Sequence, residues 1–190
     1  MINDYEATEP ITTDASGTPG RMTDASNSNV SNDDAISTLN GLIETCRDGQ
    51  EGFREAAGSV DSTDIKTFFG VCSQQRAQFV GELQTLVREL GGDPENTGST
   101  LGAIHRGWID LKAAVAGNDN KAILNECERG EDSAKKVYKE ALEMNLPSNV
   151  RQTIQAQYDA VVEAHNNVKA LRDGANNTSS SSATGGTGGY

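Results

Sequence analysis

Glu128, Glu131 and His165 carry the metal-binding potential of this chain. Glu128 and Glu131 lie three residues apart, so a helix sets both carboxylates on one face, and antiparallel pairing with a later helix brings His165 within reach of Glu128. Two carboxylates and an imidazole are donors for iron or another divalent ion, and Glu51, with Glu55 one turn on, could add a carboxylate from an earlier helix. A second set of residues points elsewhere. Gln50, Gln75, Arg76, Glu131 and Gln157 each interrupt or flank an otherwise apolar helical seam near its middle. A guanidinium stays protonated, repels a nearby cation and pairs with a carboxylate in fork geometry. The sequence therefore predicts a structural polar layer at Gln50, Gln75, Arg76, Glu131 and Gln157, with Arg76 paired to Glu131 or Glu128. Iron held in the core by Glu51, Glu128, Glu131 and His165 is the alternative.

The full donor set of a two-metal helical bundle is missing. Such sites use Glu-x-x-His on two of their helices, yet Val162 stands three before His165 and Gly102 three before His105. The acidic run from Glu126 to Asp132 lacks the alternating ligands and central glycine of a calcium loop and reads as helix. No phosphate-cradling glycine motif, nucleophile elbow or HExxH occurs, so no catalytic residue and no bound cofactor is assigned. Cys46, Cys72 and Cys127 show no CxxC spacing and fall at apolar helical positions, which marks them as reduced core residues.

The elements that must position these groups are helices. Apolar residues recur at steps of three and four on four long segments: Ile36 to Val60, Phe69 to Leu90, Ile123 to Ala141 and Val150 to Leu171. Asp33 and Asp34 open the first, Asp61 to Asp64 separate it from the second, and Asn118-Asp119 cap the third. Pro147 starts the fourth and Gly174 is expected to end it. Between the second and third, Leu101, Ile104, Trp108, Leu111 and Val115 share one face of a shorter helix between Gly91-Gly92 and Gly117-Asn118. About 25 Å of helix there would carry the chain from one end of the bundle to the other. The expected fold is all-α, a ferritin-like four-helix bundle spanning 33–173 with a helical crossover between the second and third long helices.

Residues 1–32, rich in Ser, Thr, Asn, Gly and acidic groups, and 174–190, rich in Ser and Gly, read as disordered polar tails. A net charge of -12 opposes binding to nucleic acid or an anionic membrane. The chain holds no run of about 18 apolar residues and no basic-then-apolar leader. A cytoplasmic protein that self-associates or binds a protein partner is the expectation.

Several stretches carry a resemblance: Leu42-Ile43-Glu44-Thr45, Glu51-Gly52-Phe53-Arg54-Glu55-Ala56-Ala57, Ser73-Gln74-Gln75-Arg76, Leu90-Gly91-Gly92-Asp93-Pro94, His105-Arg106-Gly107-Trp108 and Cys127-Glu128-Arg129-Gly130-Glu131-Asp132. Over Leu39 to Asp173 the chain resembles a bacterial family of ferritin-like four-helix-bundle proteins of unknown function. The resemblance implies that fold and, by looser analogy, a role in stress or stationary-phase physiology. It supplies no catalytic residues.

Overall fold

A computed structural model describes residues 31–94, 111–117 and 119–181. Its helices are α1 (Asn32–Ser59), α2 (Thr63–Glu89), α3 (Leu111–Ala116), α4 (Asn120–Glu143) and α5 (Ser148–Ser181), and no strand occurs among the described residues. Side-chain caps close the starts of α1, α2 and α4, Ser62 and Asp119 among those expected. Ser31 and Ser62 accept from the backbone N–H groups of Asp34 and Ile65, and Asp119 accepts from those of Lys121 and Ala122. After α2, Gly91 adopts φ +83° and Gly92 N–H returns to the Val87 carbonyl at 2.9 Å, a left-handed stop that favours glycine. Gly92 also lies against Ile36, where an added Cβ would come within 2.8 Å of that side chain. At the α4–α5 turn, Arg151 donates to the Leu142 carbonyl at 2.6 Å and to that of Met144, satisfying orphan acceptors at the end of α4.

The core divides into two apolar clusters, and their membership gives the chain direction. Leu39 and Cys46 of α1 lie in the first cluster and Phe53 and Val60, farther along the chain, in the second. α2 runs the opposite way, from Phe69 in the second cluster to Phe79, Leu83 and Val87 in the first. α4 also starts in the second, at Ile123 and Leu124, and ends in the first at Tyr138 and Ala141. α5 begins at Val150 and Ile154 in the first and reaches Ala164 and Val168 in the second. α2 and α4 are therefore parallel. The chain between them must return the length of the bundle, and Leu111 of α3 arrives in the second cluster as that return requires. This is the one-crossover connectivity found in ferritin-like folds. The crossover residues Leu101, Ile104, His105 and Trp108 lie outside the described residues, as do 1–30 and 182–190 of the tails.

Two sequence expectations change. Gly174 does not end α5, which continues to Ser181, because a lone helical glycine costs only about 1 kcal/mol and no left-handed turn forms there. The buried seam of α1 includes Ala35, Leu39, Leu42, Ile43, Cys46, Gly49, Phe53, Ala56 and Val60, so Ile36, Gln50 and Ala57 stand at its edge rather than on it. Of the line Ile36, Leu39, Ile43, Cys46, Gln50, Phe53, Ala57 and Val60 that helical steps of three and four predict, Leu39, Ile43, Cys46, Phe53 and Val60 are buried. Packing selects the line whose small members let neighbouring side chains come close.

Candidate functional site

The boundary between the two clusters is polar. Arg76 follows Phe69 and Cys72 along the buried seam of α2 and precedes Phe79, so the helix that supplies the core also drives a guanidinium into it. Arg76 Nη2 donates to Glu131 Oε2 of α4 at 2.7 Å, with side-chain exposures of 2% and 1%. Arg76 Nη1 donates to Gln75 Oε1 at 2.8 Å. The rings of Phe53 and Phe79 lie 5.9 and 5.5 Å from the guanidinium carbon, within cation–π range. Burial works against the Arg76 charge, but Glu131 beside it outweighs that effect and raises its pKa above the ordinary arginine value. Burial pushes the Glu131 carboxyl upward, and Arg76 pulls it back in part.

Gly49 is the residue that makes room. A Cβ at that position would sit 3.5 Å from Arg76 Cγ and 3.7 Å from its Nε, so anything longer than alanine meets the arginine. Gly49 and Gly130, with Thr45, Ser133 and Ala134, flank Arg76 and Glu131 around a cavity of about 10 Å³, on the order of the space one water needs. Glu131 Oε1 has no hydrogen-bond partner among the described residues. Arg76, Glu131 and Gln75 are joined in one layer by these bonds, whereas Gln50 stands beside it. Gln50 is half-buried, and its backbone carbonyl accepts from Ser73 Oγ at 2.8 Å.

Gln157 belongs to a separate tier within the first cluster. It lies with Tyr138, seven residues and roughly 10 Å along α4 from Glu131. Tyr138 donates to Gln157 Oε1 at 2.8 Å, leaving its oxygen to accept from the Cys46 thiol at 3.0 Å. Gln157 Nε2 then donates to Glu82 Oε2 at 2.7 Å, near the surface. The heights read from the helical pattern merged two tiers because neither the Tyr138 hydroxyl nor Glu82 breaks an apolar line. The three thiols are buried. Burial raises Cys46 to about 11 and Cys72 to about 12, and pushes Cys127 well above its ordinary value.

The four residues considered for iron do not converge. Glu51 is 54% exposed and pairs with Arg54 on its own helix. Glu131 is committed to Arg76. Glu128 and His165 do come together in the α4–α5 groove, where Asp132 joins them. One ligand atom from each of the three lies within 4.8 Å of the others. His165 Nε2 is 3.0 Å from Asp132 Oδ1, and Glu128 also pairs with Arg172. Asp132 was legible as the residue four after Glu128, the spacing that puts two side chains on one helix face. Gly49, Tyr138 and Arg172 carried no comparable signal.

The model of the DUF2383 family, a domain of unknown function, matches residues 34–144. The chain belongs to this family. The matched segment runs from the first turn of α1 to the end of α4 and includes Arg76 and Glu131, while Gln157, His165 and the rest of α5 follow it. No curated protein matches the chain. The family assignment is to DUF2383 and does not extend to the ferritin-like family; the likeness there is one of connectivity.

Proposed function

We propose that this DUF2383 protein is a non-catalytic helical bundle that acts through its surface, by self-association or by binding a protein partner. The observation that carries the reading is the Arg76–Glu131 pair at the centre of the bundle. In metal-dependent bundles the middle of the core holds carboxylates around cations; here a guanidinium that cannot discharge lies 2.7 Å from the central carboxylate. The adjoining cavity, at about 10 Å³, is far too small for an organic substrate. A role in stress physiology belongs to the same proposal and rests on the resemblance alone.

Iron in the core remains the contrasting reading, and one preparation tests both. In protein from iron-supplemented cells, light scattering is expected to give a mass above the 20.1 kDa of one chain, and iron analysis is expected to find no two-iron centre. Two irons per chain, retained in the exposed-site variant Asp132→Asn, would refute the non-catalytic reading. A single-chain mass at all accessible concentrations would remove self-association and leave partner binding.

A further inference from the structure

We propose that the α4–α5 groove is a mononuclear site for a first-row divalent cation, held by the carboxylates of Glu128 and Asp132 and by Nε2 of His165. The site adjoins the Arg76 layer but shares no ligand with it, and the proposal stands whether or not the bundle self-associates.

Two helices supply the donors. Glu128 and Asp132 are one turn apart on α4, and His165 reaches them from α5. Two of the three are held by packing, with side-chain exposures of 12% for Glu128 and 10% for His165; Asp132, at 58%, leaves the groove open to an ion from solvent. The orientation of the imidazole carries the argument further. His165 Nδ1 lies 3.2 Å from Asn166 Oδ1, an acceptor that suits the neutral tautomer with its proton on Nδ1. Nε2 then presents a lone pair 3.0 Å from the carboxylate oxygen of Asp132. Two electron-rich atoms then face each other, with Lys135 Nζ reaching the same Asp132 oxygen at 3.3 Å, and an ion in the groove would bridge the pair more closely than that ammonium does. Ligand atoms on adjacent positions around an ion, each about 2.1 Å from it, lie roughly 3.0–3.4 Å apart, so this edge already has coordination spacing. An acceptor on the far nitrogen is also the usual device for aiming a metal-binding histidine.

One imidazole with two carboxylates suits a borderline cation such as Zn²⁺ or Mn²⁺, with solvent completing the shell. Lys135 on Asp132 and Arg172 on Glu128 give the site two competitors, of which Arg172 holds the more buried carboxylate. The Arg172 guanidinium pairs with Glu128, and an arriving ion must take that carboxylate from it. Removing Arg172 should therefore strengthen binding, an outcome that a merely structural ion-pair cluster does not produce.

The test is a Zn²⁺ titration of the full chain by calorimetry in a non-coordinating buffer, with the fold of each variant checked by circular dichroism. One Zn²⁺ per chain is expected. Affinity should fall at least about 10-fold in Asp132→Asn and in His165→Gln, rise in Arg172→Gln and stay unchanged in Glu51→Gln. Asp132 is exposed, so its variant keeps the measurement readable even where the histidine variant fails to fold. In parallel, substoichiometric Mn²⁺ should broaden the ring signals of His165 more than those of His105, the chain's other histidine. Absence of Zn²⁺ binding, binding unchanged by Asp132→Asn, or broadening centred on His105 overturns the proposal and leaves a protonated His165–Asp132 ion pair.

Discussion

Replacing Arg76 with methionine tests the central layer through its dependence on pH. At 2.7 Å and an effective dielectric near 20, the attraction between the two charges is about 6 kcal/mol. Desolvating each ion costs several kcal/mol, so the pair as a whole contributes little net stability. Taking away only the cation is different. Glu131 is then buried with neither the guanidinium nor, for Oε1, any other partner, and the loss should be about 3–5 kcal/mol near neutral pH. In a domain of this size that is a fall in Tm of roughly 10 °C.

The loss should also have a sign in pH. Burial already raises the Glu131 carboxyl, and removing Arg76 removes the group that pulls it back. A carboxyl whose folded pKa lies above its unfolded value, about 4.3, supports the folded state fully below that unfolded value. That support is lost as pH rises through the folded pKa, at up to about 1.4 kcal/mol per pH unit. Arg76→Met should thus unfold at much lower urea than the natural protein at pH 8 and approach it at pH 5. Arg76→Met combined with Glu131→Leu should recover most of the stability with little pH dependence, because the two apolar clusters then meet without a buried charge. Urea titrations at the two pH values decide it. A single-variant loss below about 1 kcal/mol at pH 8, or one equal at pH 5 and pH 8, would refute the buried-pair account.

Gly49→Ala should be neutral or stabilising by up to about 1 kcal/mol, since its Cβ makes ordinary contact with Arg76 and alanine favours the helix; Gly49→Leu should displace the arginine and unfold at clearly lower urea. Tyr138→Phe removes the donor to Gln157 Oε1 and should cost about 1–3 kcal/mol in the same assay, with no change in Zn²⁺ binding at the α4–α5 groove. Cys46, Cys72 and Cys127 are buried, the first two with thiols at about 11 and about 12, so a thiol reagent at pH 8 should label them slowly in the folded protein and rapidly in urea. Fast labelling of the native chain would show that the core opens far more readily than its packing implies.

The sequence by itself determined the four long helices, their order and the need for a crossover, because amphipathic periodicity and capping residues are local properties of the chain. It also marked Arg76 as the group at odds with a metal core, since one permanent charge on an apolar seam must find a carboxylate or leave the interior. Which faces and heights actually met was decided only by tertiary packing. The α1 seam passes through Gly49 rather than Gln50 because the space there is filled by Arg76, a residue on another helix. Gln157 left the central layer for Tyr138, and Asp132 replaced Glu51 beside Glu128 and His165. Helical spacing fixes angles around one axis, whereas the rotation and offset between two axes follow from how their side chains interlock. That is why the fold could be read from the chain and most of the groupings at its sites could not.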